Sequence, residues 1–181
     1  MIRMTPLRMS AAFVLLATVG LVQAEPLLPL ADGNRWIFIS EDDPSVTMEA
    51  LVTESRTVDG ETWYRYEEFG YGYWLRNVGP EQWQANSEPR DEAPGHMVAL
   101  ADPATAPDWY PYDGLVVDYE ACEEPMTVPA GTFDCYVYTF EFGDDLYTRS
   151  VFAPGVGMIH TTFEQGSEVR AVVLKDYVLK D

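Results

Sequence analysis

From residue 31 to residue 179, glycine, proline and aspartate pairs break the chain every few positions, and the runs between them are rich in aromatic and β-branched side chains. Runs this short cannot hold stable helices, but they suit strands joined by tight turns. The clearest two-residue alternation lies in residues 134–142, where Tyr136, Tyr138, Phe140 and Phe142 interleave with Cys135, Val137, Thr139 and Glu141. No stretch beyond the first 24 residues carries a convincing amphipathic helical period. The pattern predicts a single all-β domain: a strongly bent antiparallel sheet, a sandwich or a partial barrel of about ten short strands. Successive hairpins favour meander order over parallel crossovers.

The individual strands follow from the same punctuation. Ala31-Asp32-Gly33-Asn34 is a turn into an aromatic strand over 35–39, and Asp42, Asp43 and Pro44 close it. Asp59-Gly60 is the strongest hairpin signal, because both residues tolerate the positive φ of a two-residue turn. It joins 47–58 to 61–69, and a second hairpin joins 71–76 to 81–85 around Asn77-Val78-Gly79-Pro80, with Tyr71, Tyr73 and Leu75 on one face. Residues 86–114 hold Pro89, Pro94, Pro103, Pro107 and Pro111 and read as a long surface connection containing one short strand at 96–100. Strand character resumes over 115–121. Pro125 and Pro129 make Met126-Thr127-Val128 a short edge segment, since proline cannot donate to a ladder, and Gly131 permits the corner before 134–142. Strands over 146–152, 158–163 and 168–179 complete the chain, and in the last Val169, Ala171 and Val173 alternate against Arg170 and Val172.

Residues 1–24 are set apart by composition. Arg3 and Arg8 precede a mostly apolar run, and Val22-Gln23-Ala24 offers small residues for cleavage. This is the form of an export signal peptide, and the run is shorter than the ~20 residues that span a bilayer as an anchor. With no cysteine near the cleavage point, a lipid-modified N-terminus is not expected. The domain over 25–181 is therefore expected to be periplasmic or secreted. Removing the leader leaves nine of the 11 basic residues against all 30 acids, a net charge of −21. That balance excludes nucleic acid, whose phosphates need Lys and Arg, and electrostatic docking on an anionic membrane. The mature length of 157 residues suffices for one core.

The only two cysteines, Cys122 and Cys135, flank a Pro/Gly corner. In an exported chain they are expected to form one disulfide, worth about 3 kcal/mol for so short a loop, with two free thiols as the alternative. Their spacing is not that of a redox pair.

Three segments carry a resemblance. Pro29-Leu30 with Gly33, Asn34 and Trp36, then Val128-Pro129-Ala130-Gly131-Thr132-Phe133-Asp134-Cys135, then Ala153-Pro154-Gly155-Val156-Gly157 resemble motifs of uncharacterised exported bacterial proteins, with Phe152 where tyrosine is usual. The resemblance implies an exported antiparallel β domain and brings no catalytic residue with it.

No catalytic, cofactor or metal site is expected. His96 and His160 are the only histidines and lack zinc-ligand spacing. Glu41-Asp42-Asp43 and Asp144-Asp145 match no calcium-loop spacing and read as solvated turns. Gly-x-Ser-x-Gly is absent, and Gly70-Tyr71-Gly72-Tyr73 lacks the following helix of a phosphate loop. Aromatic side chains hold the remaining functional promise, with core packing as their ordinary use. Tyr71, Tyr73, Trp83, Trp109, Tyr110 and Tyr112 are the candidate ligand-binding residues. The leading reading is a non-catalytic exported domain that binds an apolar or carbohydrate small molecule or serves envelope maintenance. A glycan hydrolase using paired carboxylates and a structural protein-contact module are the alternatives.

Overall fold

The structure is a computed structural model that describes residues 25–79, 81–89, 97–101, 115–142, 146–165 and 168–180. The leader, His96, Trp109, Tyr110, Tyr112 and Asp144-Asp145 lie outside the described residues. Thirteen strands form among those described, against about ten expected. They are β1 (Arg35–Ser40), β2 (Thr47–Val58), β3 (Glu61–Glu68), β4 (Tyr71–Val78), β5 (Glu81–Ala85), β6 (Met97–Ala101) and β7 (Leu115–Ala121). Then come β8 (Met126–Val128), β9 (Gly131–Phe133), β10 (Tyr136–Phe142), β11 (Leu146–Ala153), β12 (Gly157–Gln165) and β13 (Glu168–Val178).

Eleven strands make one sheet in the order β6-β5-β4-β3-β2-β1-β13-β12-β11-β10-β7, and β8 pairs with β9 as a separate ribbon. The expected corner at Gly131 is thus itself a strand, because two prolines isolate β8 from the main sheet and leave it a hairpin partner of its own. All pairings are antiparallel. Two meanders are joined where the first strand pairs with the last, Arg35 opposite Val178. With β6 and β7 at its two ends, the sheet is open and does not close into a barrel.

The sheet is nevertheless strongly curled. Phe69, just past β3, lies four strand positions from β12, which would be about 19 Å in a flat sheet. Its ring centroid is 6.3 Å from that of Phe163. Bulges between Ile37 and Phe38, between Val52 and Glu54, and between Val151 and Phe152 supply local bending.

Trp36, Phe38, Val52, Tyr66, Leu75, Val172 and Leu174 fill the concave face. The segment before β1 lies across it: Gly155 donates to the Pro26 carbonyl at 2.8 Å, and Asn77 Nδ2 donates to the Leu28 carbonyl at 3.0 Å. Trp36 Nε1 donates to the Val156 carbonyl at 2.6 Å, so two of the three resembling segments meet here. Asn34 is fully buried, donating from Nδ2 to the Pro29 carbonyl and accepting from the Lys180 amide at 2.7 Å. It ties the entry of the sheet to the end of β13.

Both parities of the C-terminal strands are enclosed. Val137 and Tyr138 are both buried, as are Ser150 and Val151, and the Ser150 and Thr161 hydroxyls bond at 2.8 Å. In β13 the buried side chains are Val172 and Leu174, whereas Val169 is exposed. The face that the alternation marks as apolar is therefore not the face on the core. Cys122 and Cys135 form a disulfide with Cα atoms 5.3 Å apart. It sits at the end of the β7–β10 ladder, where the Cys122 amide also donates to the Cys135 carbonyl at 2.8 Å.

Candidate functional site

The hairpin register determines which side chains share a face. Asp59 and Gly60 both have positive φ, 52° and 81°, as the two-residue turn requires. This turn sets Arg56 opposite Trp63, and the following pairings set Arg76 opposite Trp83. With Tyr64 opposite Leu75, Trp63 is the lateral neighbour of Arg76. One row across β2, β3, β4 and β5 therefore reads Arg56, Trp63, Arg76, Trp83 on the outer face. The next row adds Arg65 and Trp74.

Arginine planes cover the tryptophan rings in this arrangement. The Arg76 guanidinium carbon lies 4.8 Å from the Trp63 centroid and 5.4 Å from that of Trp83, and that of Arg56 lies 5.7 Å from Trp74. Arginine suits the role because its flat, weakly hydrated cation stacks on a ring and keeps its charge. Trp63 and Trp74 are buried beneath this layer, and Trp83 is half-buried. Each cation also has an acid: Arg56 pairs with Glu88, Arg76 with Glu61, and Arg65 approaches Glu67 at 3.8 Å. The Arg56–Glu88 pair is the open one, with side chains 46% and 42% exposed.

The concave face holds a different polar group. Glu68 accepts hydrogen bonds from the Tyr66 hydroxyl at 3.0 Å and the Tyr73 hydroxyl at 2.9 Å. Burial pushes the Glu68 carboxyl above its ordinary range, partly opposed by the two phenols, which prefer the anion. Burial and the Glu68 charge likewise push Tyr66 and Tyr73 well above the usual tyrosine range. Tyr66 packs edge-on against Trp36 at 5.8 Å.

The expected ligand residues are thus divided. Tyr71 is 75% exposed beside the hairpin turn, Tyr73 points into the concave face toward Glu68, and Trp83 belongs to the outer row. Tyr71 and Tyr73 share one face of β4, Tyr71 at its exposed hairpin end, whereas Trp83 pairs with Arg76 on the opposite face, so the three do not form one surface. Trp109, Tyr110 and Tyr112 lie outside the described residues. The row of arginines and the half-buried Glu68 are the features that residue types alone did not single out. A hairpin register counted from Asp59-Gly60 would have found the first, and the inward parity of Tyr64, Tyr66 and Glu68 the second.

Other candidates are plainer. His160 Nε2 lies 3.5 Å from Glu41, and burial holds the imidazole below its ordinary range, with Arg149 adding to that effect and Glu41 opposing it. Asp43 accepts from the Ser45 amide and hydroxyl, which makes its acidic cluster a hydrogen-bonded turn. No group of three or more potential metal ligands occurs among the described residues. Beside the disulfide lies a shallow hollow of about 230 Å³ lined by Glu123, Asp134, Tyr136 and Pro154 among others.

Two solved structures are similar to this chain. A candidate lipoprotein from Parabacteroides distasonis aligns with a TM-score of 0.51 and 15% identity, covering 86% of this chain and 99% of that one. A candidate exported protein with a YmcC-like fold, from Bacteroides fragilis, aligns at 0.49 and 14%, covering 86% and 100%. At such identity the likeness to the first shows a shared fold alone. No protein-family model matches the chain, and no curated protein matches it in sequence.

Proposed function

We propose that this chain is an exported, non-catalytic envelope domain spanning residues 25–181 that binds carbohydrate on the outer face of β2–β5. Export is supported by the leader-like residues 1–24, by the Cys122–Cys135 disulfide, which persists in oxidising compartments, and by motifs that resemble those of exported bacterial proteins. A structural neighbour is named as a candidate lipoprotein. This chain has no cysteine near Ala24 to carry a lipid. No helix among the described residues is long and apolar enough to cross a membrane.

The observation that carries the ligand class is the Arg56, Trp63, Arg76, Trp83 row. Large side chains occupy the concave face, which disfavours an apolar carrier; a carrier needs an interior space. A sugar has flat C–H faces that pack on an indole, and its hydroxyl oxygens accept from guanidinium N–H groups. Trp83 is half-buried and more open than Trp63 and Trp74. Arg56 offers guanidinium N–H donors, because its exposed pair with Glu88 contributes little and a sugar hydroxyl can compete for it. The hydrolase reading loses support: the shift of Glu68 traces to burial and tyrosines, with no second acid contributing. The contact-module reading rests on exposed apolar groups such as Tyr71 and Val169, which stand on different strands.

Calorimetric titration with a panel of acidic and neutral oligosaccharides tests this reading. Neutral members bind the wild type, and Arg56→Ala and Trp83→Ala each weaken binding by about tenfold, equivalent to 1.4 kcal/mol. No binding by any neutral member, or unchanged binding by both folded variants, would refute it.

A further inference from the structure

We infer that residues 86–89 form a strap over the outer Arg–Trp face, clasped by the Glu88–Arg56 pair, and that, resting on the carbohydrate reading, its opening admits a neutral sugar to Arg56 and Trp74.

The path of the chain past β5 is dictated by that pair. Arg56 lies on β2, three strand positions from β5, which is about 14 Å in a flat sheet. The three steps from Ala85 to Glu88 span at most about 10 Å. Glu88 therefore reaches Arg56 only if the chain turns across β4 and β3. It turns at once: Asn86 and Ser87 are bends, and Gln84 Nε2 donates to Asn86 Oδ1 at 2.8 Å where the chain leaves the strand. Arg56 is the far anchor, its guanidinium carbon 5.7 Å from the Trp74 centroid.

Burial marks where the strap rests. Pro89 is buried, whereas Asn86, Ser87 and Glu88 are exposed. Beneath lie Trp63, Trp74 and Ala85, one cluster on this face whose members are only 2%, 4% and 2% exposed. A methyl as short as that of Ala85, at the end of its strand, is enclosed by what lies over it. The hold on the strap is weak. Among the described residues no backbone hydrogen bond ties 87–89 to the sheet, and both side chains of the Glu88–Arg56 pair are open to water. Such a pair contributes little and is screened by salt. Closed, the strap engages the guanidinium donors that a sugar hydroxyl needs, so strap and sugar compete for one side chain.

Solvent paramagnetic relaxation of the Trp74 ring protons and the Ala85 methyl, induced by a neutral gadolinium chelate, reads the strap with no sugar present. Glu88→Gln keeps the size of the exposed side chain and removes the charge of the clasp. In this variant, and in the wild type at about 1 M sodium chloride, the relaxation of both groups rises about two- to fivefold, while that of buried Trp36 does not. Unchanged relaxation under both conditions overturns the strap. Titration with a neutral oligosaccharide then reads the gate: Glu88→Gln binds about two- to fivefold more tightly than the wild type, and equal affinity in the two proteins refutes gating. If neither protein binds a sugar, the carbohydrate reading fails and the gate with it, while the relaxation result still decides whether the strap opens.

Discussion

Replacing both cysteines, as in Cys122→Ala with Cys135→Ala, removes a cross-link while leaving its neighbourhood in place. The two residues are 13 apart in sequence. A loop of that order restricts the unfolded chain by about 3 kcal/mol. The native side of the balance changes little, because the Cys122 amide to Cys135 carbonyl bond and the whole β7–β10 register persist without the sulfurs. Cys122 is half-buried and borders the shallow hollow, so alanine there opens no sealed cavity. For a domain of this size each kcal/mol shifts the melting temperature by roughly 2–4 °C, giving an expected drop of about 6–12 °C. Differential scanning calorimetry of the oxidised wild type and the double variant provides the comparison. A variant melting within about 2 °C of the wild type would refute the reasoning. In that case the bond either does not form or does not restrain the unfolded ensemble.

Further outcomes follow from single side chains. At Gly157, φ is 107° and an added Cβ would sit 2.6 Å from Leu28 and 3.2 Å from Trp36 Nε1, so Gly157→Ala should cost about 3 kcal/mol in a urea titration. Arg76→Lys keeps the charge but loses the flat stack over Trp63 and Trp83, with an expected loss of about 1 kcal/mol by the same method. Glu68 is more easily protonated in the folded than in the unfolded protein, so its contribution is fully present below the unfolded carboxyl range and lost as pH rises through the higher folded value. Glu68→Gln should therefore be more stable than wild type at neutral pH, with the advantage shrinking in acid; melting curves across pH give the comparison.

Much of the local structure was legible in residue types. Asp59-Gly60 marked its hairpin because both residues accept positive φ, and β2 ends and β3 begins on either side of it as read. The Phe69-Gly70 turn was not marked, since phenylalanine disfavours that conformation and only its tertiary contacts with Phe38 and Phe163 hold it there. The β1–β13 pairing joins the two ends of the domain, and no local signal specifies a contact of that span. For the candidate site, the aromatic residues were visible but their division was not. A strand side chain changes face with each residue, and the bulge between Val52 and Glu54 resets the count along β2. Glu68 was hidden by the abundance of acids, although its place two residues after Tyr66 puts it on the inward face.

The most direct test of the outer-face assignment follows the indole N–H resonances during titration with a neutral oligosaccharide. Trp83 belongs to the arginine row, whereas Trp36 lies buried on the concave side with its Nε1 bonded to the Val156 carbonyl. Binding at the outer face shifts the Trp83 resonance in a saturable way and leaves Trp36 unmoved. A shift of Trp36 with Trp83 unchanged, or no shift at all, would contradict it.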